Sequence, residues 1–179
     1  PHVADNVSSS NPVCPSNLGR VCPDGTDLTQ YSNLAVCISD GSADEECGIA
    51  AASICILPND SSVWEDPATA MKMYARGSAT AELVGMALSL HTLLQNVSKF
   101  ETAVVYTDNA HCVRYTGDST RCGMEPSSDD GWKLYPLILY VRDQVLKLQN
   151  FGKCILVKKL PKEQNVMDSI AKACMRNER

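Results

Sequence analysis

The sequence predicts an α/β fold in which helices cover both faces of a mixed β-sheet. Three short apolar runs precede any helical pattern, which favours a meander of antiparallel strands. After residue 78, segments with helical spacing alternate with further apolar runs, as in strands joined by crossover helices. The chain has 179 residues, of which 44% are hydrophobic and 21% charged. This length and composition are typical of one globular domain with its own core.

The first part of the chain predicts a leader and three strands. Residues 1–32 are rich in Ser, Asn, Pro, Asp and Gly, so we expect an irregular leader followed by a domain over 33–179. The run Leu34–Ser39 is apolar and ends at an Asp-Gly-Ser sequence typical of turns. Gly48–Leu57 is stopped by a Pro-Asn-Asp sequence, and Thr69–Ala75 alternates weakly as a third strand.

The remaining segments predict helices and two more strands. Ser78 to Val97 has apolar residues at helical spacing, with Ser78 or Thr80 as its cap and Glu82 in its first turn. The elements expected after it are a strand at Thr102–Thr107, a short helix at Asn109–Tyr115, a helix at Trp132–Gln149, a strand at Lys153–Lys159 and a helix at Lys162–Arg176.

Charge is divided unevenly along the chain, although the net charge is only −5. Residues 1–131 hold 6 Lys/Arg and 17 Asp/Glu, whereas residues 132–179 hold 10 Lys/Arg and 4 Asp/Glu. This asymmetry is typical of a protein with a polyanionic partner or a metal site. Solvated acidic loops and a solvated basic helix explain it equally well.

The cysteines predict free thiols in a reducing compartment. There are nine, and none stands in a Cys-x-x-Cys pair, so a zinc site has little support. Cys37, Cys55 and Cys154 lie in apolar runs, where free cysteine behaves as a small hydrophobic residue. The first residues show no signal-peptide pattern and no apolar run is long enough to span a membrane. We therefore expect an intracellular protein of cytoplasm, nucleus or virion, not a secreted one.

Four carboxylates are expected to form one cluster. Asp40 and Asp108 end two strands, Glu82 opens a helix, and Asp168 interrupts an apolar stretch of the last helix. Crowded carboxylates shift one another's pKa unless a cation neutralises them, and such oxygen ligands suit Mg²⁺ or Mn²⁺. Taken singly, Asp40 is also explained as a turn former, Glu82 as a helix-dipole partner and Asp108 as a helix cap.

In order and spacing these motifs resemble type 1 ribonuclease H, from about Leu34 to Met175. The domain versions in retroelement or viral reverse transcriptases are included in that resemblance. It rests on four segments: Ser39-Asp40-Gly41-Ser42-Ala43, Ser78-Ala79-Thr80-Ala81-Glu82-Leu83, Tyr106-Thr107-Asp108-Asn109 and Asp168-Ser169-Ile170-Ala171. The resemblance implies a five-stranded mixed sheet of order 3-2-1-4-5. It also implies endonucleolytic hydrolysis of the RNA strand of RNA–DNA hybrids with two Mg²⁺ ions, Mn²⁺ being an alternative.

The resemblance also implies a role for each matching residue. Asp40 would bridge both metals and Asp108 would bind the metal that activates water. Glu82 would hold one metal and contact the RNA 2′-hydroxyl, and Asp168 would complete the second site. The other implied contacts are to substrate: the backbone of Gly41 and Ser42 to the RNA, Ser78 and Thr80 to the DNA strand, and Asn109 to an unspecified part.

Two departures from the family pattern leave other functions open. Many members carry a mobile His between the fifth strand and the last helix, but residues 158–164 contain none. Residues 116–131 hold one Arg among four acids, where some members have a basic protrusion. The alternatives are a weak or inactive domain that binds nucleic acid or scaffolds a polymerase or ribonucleoprotein, and a DNA nuclease of the same fold. Expected partners are the hybrid and neighbouring polymerase domains, with no membrane.

Overall fold

A computed structural model describes residues 17–44, 48–58, 63–64, 68–71, 77–117 and 128–177. Its four long strands form the body of one mixed sheet. β1 (Leu34–Asp44) pairs antiparallel with β2 (Gly48–Ile56). Two short strands, β3 (Val63–Trp64) and β4 (Ala68–Met71), pair antiparallel with β2. β5 (Thr102–Thr107) and β6 (Cys154–Lys159) extend the sheet in parallel beyond β1.

The strand count differs from the expected five. In the described residues the order is β3-β2-β1-β5-β6, with β4 also on β2. The four long strands match the predicted first, second, fourth and fifth. The third, expected over Thr69–Ala75, corresponds to β4 as far as Met71, and residues 72–75 lie outside the described residues. Within the described residues β3 shares the β2 edge with β4. The register shift between Ile49 and Ala51 interrupts regular pairing along that edge.

In the part of the chain that the structure describes, four α-helices cover the two faces of the sheet. They are α1 (Ser78–Gln95), α2 (Ala110–Thr116), α3 (Asp129–Asn150) and α4 (Asp168–Asn177), with 3₁₀ turns at Val97–Lys99 and Lys162–Gln164. On one face, α1 and α3 bury Leu83, Met86, Leu90, Ile138 and Leu148 against the strands. On the other face, α4 contributes Ala171, and Met167 just before it, to a second cluster.

Successive residues of a strand contribute to the hydrophobic clusters on opposite faces of the sheet, because side chains alternate from one face to the other. In β1, Ala35 and Cys37 face the α1 side, whereas Val36 and Ile38 face the α4 side. Both sets are buried, which explains why this strand reads as a continuous apolar run instead of an alternating one. Helices on both faces were predicted, and the structure confirms them.

The described part of the leader, residues 17–32, packs into the domain although it contains only turns and one β-bridge. Leu18, Cys22 and Leu28 are buried in the α4-side cluster. The Tyr106 hydroxyl donates to the Leu18 carbonyl oxygen at 3.0 Å, which ties the segment to β5. These residues therefore belong to the core. The boundary at residue 32 stays a prediction, and residues 1–16 lie outside the described residues.

Three predicted element ends are wrong. β1 does not turn at Asp40 but continues to Asp44, because its Asp-Gly-Ser segment pairs with three alanines of β2. Neither Ser78 nor Thr80 caps α1: Gly77 holds the cap position without a side-chain bond, and no acid lies in the first turn. α4 begins at Asp168 instead of Lys162, because the Asn165 side chain accepts from the Met167 N–H and forms a turn there.

The prediction of free thiols is wrong for two cysteines. Cys37 and Cys55 lie opposite each other across β1 and β2, with Cα atoms 4.1 Å apart, and form a disulfide. The sequence could not show this, because the strand register that aligns them follows from tertiary packing. Among the other described cysteines, Cys22 and Cys112 are buried and Cys174 is partly buried. Cys154, which was expected to be buried, is exposed. Within the described residues, none of the helices combines the length and apolarity that crossing a membrane requires.

Substituting Leu28 with alanine should destabilise the domain by roughly 2–4 kcal/mol, because a fully buried side chain would leave a cavity. The matched control is Val21→Ala in the same segment, where the side chain is 48% exposed and the expected change is below about 0.5 kcal/mol. Urea unfolding measures both. Equal, small effects would show that the leader contributes nothing to the core.

Candidate functional site

Two predicted acids meet at one edge of the sheet because β1 and β5 are parallel neighbours. Ile38 pairs with Tyr106, so Asp40 and Asp108, two residues further on, lie at the same level. Asp40 is within β1 and 2% exposed, whereas Asp108 follows β5 and is half-buried. The carboxyl ends of parallel strands thus bring together two residues that are 68 positions apart in the sequence.

Glu82 reaches the same place from α1 because the helix lies very close to β1. A Cβ on Gly41 would collide with the Ala81–Glu82 backbone, and one on Gly85 would lie 3.0 Å from the Asp40 carbonyl oxygen. Because neither glycine has a Cβ, α1 and β1 can approach each other more closely than any other residue at these positions would allow. The Glu82 side chain is only 5% exposed as a result.

Asp40, Glu82 and Asp108 form a compact carboxylate triad. One oxygen of each lies within 4.8 Å of the others. Asp40 Oδ1 accepts from the Gly41 N–H at 2.8 Å, while its Oδ2 is buried without a hydrogen-bond partner. The Thr107 hydroxyl donates to Glu82 Oε2 at 3.3 Å.

Burial and mutual repulsion disfavour the ionised triad. Burial, followed by hydrogen bonding and charge repulsion from Asp40, raises the pKa of Glu82. Burial is also the main cause that raises the pKa of Asp40 to about 6, and the charges of Asp108 and Asp168 add to it. A buried, unpartnered carboxylate oxygen costs free energy unless a proton or cation satisfies it.

The triad fits a divalent cation. Three carboxylates within coordination range and one unpartnered oxygen on Asp40 offer the hard oxygen donors that Mg²⁺ and Mn²⁺ prefer. Cys112 lies nearby, but burial, followed by the charges of Glu82 and Asp108, raises the pKa of its thiol. This thiol is therefore not a nucleophile at neutral pH.

Asp168 stands apart from the triad among the described residues. It begins α4, and its Oδ2 lies 2.8 Å from the Lys172 ammonium one turn later. Asn165 holds this helix start on the sheet, since its Nδ2 donates to the Ser39 carbonyl oxygen at 3.1 Å. The fourth acid is thus close enough to influence Asp40 but is paired with a lysine.

The other predicted site residues differ in their surroundings. The Gly41 backbone is in contact with α1, and Ser42 is half-buried beside it. Ser78 is exposed, whereas Thr80 is 1% exposed, so its hydroxyl is not presented to a ligand at the surface. Asn109 Oδ1 accepts from the His111 and Cys112 N–H groups and caps α2.

Three residues at the site were not identified from the sequence. Thr107 and Asn165 position the acids through hydrogen bonds that depend on tertiary contacts. Lys172 stands four residues after Asp168, the helical spacing for an ion pair, and this spacing was a usable signal.

The basic residues of the last third are partly engaged within the protein. Lys158 pairs with Asp24 at 2.8 Å, which lowers the pKa of Asp24 to about 2, and Lys147 pairs with Asp143 at 3.2 Å. Lys159 is exposed at the end of β6, opposite Thr107 and therefore at the edge that holds the triad.

Solved ribonuclease H structures share the fold of this chain. The N-terminal RNase H domain of Rv2228c from Mycobacterium tuberculosis, solved as a fusion with maltose-binding protein, is 18% identical, with a TM-score of 0.55 over 82% of this chain and 96% of that one. RNase H1 from the halophilic archaeon Halobacterium salinarum is 12% identical, with a TM-score of 0.59 over 80% and 98%. LC11-RNase H1, in complex with an RNA/DNA hybrid, is 13% identical, with a TM-score of 0.50 over 80% and 97%.

No protein-family model matches the chain, and no curated protein matches it in sequence. The structural relatives are ribonuclease H domains, and at these identities the likeness establishes the fold alone. The chain has a ribonuclease H-like fold.

Without metal, the domain should lose stability as pH rises. The folded-state pKa values of Asp40 and Glu82 are raised, so protonation of both carboxyls stabilises the folded protein below about pH 4. The contribution of Asp40 is lost as pH rises through about 6, and that of Glu82 is lost at higher pH. Thermal unfolding with a chelator measures the effect. Mg²⁺ should offset the loss, and Asp40→Asn should flatten the profile relative to wild type. A profile identical in wild type and variant would contradict the electrostatic account.

Replacing Lys172 with methionine should tighten binding of divalent ions near Asp168. The change removes an ammonium that competes for the Asp168 carboxylate, although an exposed pair contributes only about 0.2–1 kcal/mol. Calorimetric titration with Mn²⁺ measures affinity and stoichiometry. Asp168→Asn in the Lys172→Met background should abolish the gain, and a gain that persists there would place the added ion elsewhere.

Proposed function

We propose that this chain is an endoribonuclease that hydrolyses the RNA strand of RNA–DNA hybrids. The observation that carries the proposal is the buried triad of Asp40, Glu82 and Asp108 at the edge of β1 and β5. The ribonuclease H-like fold supports it, and LC11-RNase H1 is a protein of this fold in complex with an RNA/DNA hybrid. The motifs in order along the chain support the same activity.

The proposed metal ligands are the triad and Asp168. Asp40 would be shared between two Mg²⁺ or Mn²⁺ ions, and its unpartnered buried Oδ2 supports that role. When bound, such ions polarise the phosphate and lower the pKa of a water for attack on phosphorus. Asp168 would first have to exchange its ion pair with Lys172 for a metal, so this part of the site is expected to be the weaker one.

The chain's own residues prepare this site before substrate arrives. The Thr107 hydroxyl and the Gly41 N–H hold one oxygen each of Glu82 and Asp40, which fixes the two carboxylates in orientation. Asn165 fixes the start of α4 on the Ser39 carbonyl oxygen. Preorganised ligands avoid the cost of ordering during the reaction.

Substrate contacts are proposed on both sides of the triad. The Gly41 and Ser42 backbone would contact the RNA strand, and exposed Ser78 the DNA strand. Thr80 is a weaker candidate because its hydroxyl is buried, and Asn109 has only its amide nitrogen left after capping α2. Exposed Lys159 and Lys162 would neutralise phosphates. Selection of RNA would rest on contact between Glu82 and a 2′-hydroxyl.

An inactive binding module is the second candidate function. It is favoured by the absence of a His over 158–164, where many ribonucleases H carry one that assists product release. Residues 118–127 of the acidic segment lie outside the described residues. The intact triad opposes this candidate, because a module that only binds needs no buried, mutually repelling carboxylates.

Asp108→Asn should reduce hybrid cleavage by more than about 100-fold, because one metal ligand loses its charge. The assay follows a hybrid with labelled RNA in Mg²⁺ or Mn²⁺, with duplex DNA and duplex RNA alongside. Asp143→Asn, which changes an exposed acid on α3, is the matched control and should cleave as wild type does.

Three outcomes separate the candidates. Cleavage of RNA only in the hybrid, lost in Asp108→Asn, supports the ribonuclease. A folded wild-type protein that binds the hybrid without cutting it in either metal supports the binding module. Cleavage of duplex DNA at a comparable rate would instead indicate a DNA nuclease of the same fold.

A further inference from the structure

The outer surface of α3 carries most of the exposed large hydrophobic residues in the described part of the chain. There are six such residues, and four lie on this helix: Trp132, Leu139, Tyr140 and Leu146. Their exposed fractions run from 45% to 55%, and Phe151 directly after the helix is 63% exposed. Single exposed hydrophobics are ordinary, but a concentration on one helix is typical of an interaction surface.

The spacing of these residues indicates a helical partner. Trp132, Leu139 and Leu146 follow one another at intervals of seven, and Tyr135 lies between the first two. Intervals of seven and of three to four mark the seam along which two helices pack. We call Trp132, Tyr135, Leu139 and Leu146 the outer stripe. Trp132 and Tyr135 already pack edge to face, with ring centroids 5.2 Å apart.

The core does not explain the outer stripe, because α3 buries a separate set of side chains. Ile138, Val141, Val145 and Leu148 face the α1 side of the sheet and belong to its cluster. A surface helix needs one apolar face to pack on its domain. The outer stripe is therefore a second apolar face of α3, on which Trp132, Leu139 and Leu146 are exposed among the described residues.

We propose that the outer stripe pairs with the outer stripe of a second copy of this chain, with the two α3 helices antiparallel. Leu139 is the midpoint between Trp132 and Leu146. A two-fold axis at Leu139 would set Leu139 against its own equivalent and the large Trp132 against the smaller Leu146 of the other copy. Such an isologous contact closes as a dimer.

Charge favours the antiparallel arrangement. Asp129 begins α3 and Lys147 lies in its last turn. Their separation of 18 positions equals about five helical turns, so both lie on the same flank. Asp129 lies 10 positions before Leu139 and Lys147 lies 8 positions after it. Antiparallel pairing about Leu139 would therefore bring each Asp129 within two positions, about 3 Å along the axis, of the other copy's Lys147, which a lysine side chain can span. The Lys147–Asp143 pair within the chain does not prevent this, since both side chains are more than half exposed.

The first test is the mass of the protein in solution, measured by sedimentation equilibrium on the full chain. The range is about 10 µM to about 1 mM, because one helix on each side forms a small, weak interface. We expect the wild type to dimerise within this range. Leu139→Glu should leave it monomeric, since two carboxylates would meet at the axis. Arg176→Gln, which changes charge by the same amount at an exposed position of α4 on the opposite face of the sheet, should dimerise as wild type does.

Charge reversal tests the orientation. Asp129→Lys and Lys147→Glu should each weaken the dimer by roughly 10-fold, and the double variant should recover the wild-type constant. Circular dichroism confirms folding of each variant, which is expected because every changed side chain is exposed. A wild type that stays monomeric to about 1 mM overturns the proposal and leaves the stripe to a different polypeptide. A dimer that survives Leu139→Glu, or charge reversals that do not compensate, overturn it as well.

Discussion

The close approach of α1 to β1 is the contact on which the rest of the site depends. Gly41 in the strand faces the Ala81–Glu82 backbone with no room for a Cβ, and Gly85 lies against the Asp40 carbonyl. This contact places Glu82 at the edge of the sheet where Asp40 and Asp108 lie side by side on neighbouring strands. Sheet pairing and helix packing therefore produce the triad together, and neither alone would produce it.

Holding three carboxylates together in a buried place is electrostatically unfavourable, and this cost points to a function. Burial raises the pKa of the Asp40 and Glu82 carboxyls, and Asp40 keeps a buried oxygen without a hydrogen-bond partner among the described residues. Carboxyl groups with strongly raised pKa values occur more often at catalytic and metal-binding centres than elsewhere in proteins. Asp168 with Lys172 forms a second, more exposed charge pair at the start of α4. If metal ions bind here, the triad would hold one without rearrangement, whereas Asp168 would first have to release Lys172.

The sequence was sufficient where local pattern decides structure. Apolar runs and helical spacing predicted the positions of the four long strands and of the four helices in the described residues. The order of acids predicted a cluster of four carboxylates, three of which meet. It was insufficient where pairing decides: β1 passes through Asp-Gly-Ser because β2 pairs with it, and Cys37 meets Cys55 only in that register. Asp168 was expected inside the last helix, but it is the first residue of α4 because Asn165 forms a turn just before it. The outer stripe of α3 was not predicted, because the core-facing residues of the same helix already account for its helical spacing.

If Asp40, Glu82 and Asp108 form a cation site, a metal that binds there must displace the protons held by their carboxyls. Mn²⁺ titration by calorimetry at pH 7 in two buffers of different ionisation enthalpy measures both binding and proton release. The account predicts binding with net proton release, because the pKa of Glu82 is raised, and weaker binding with less release in Glu82→Gln. Heats that show no Mn²⁺ binding, or binding equal in Glu82→Gln, would contradict it.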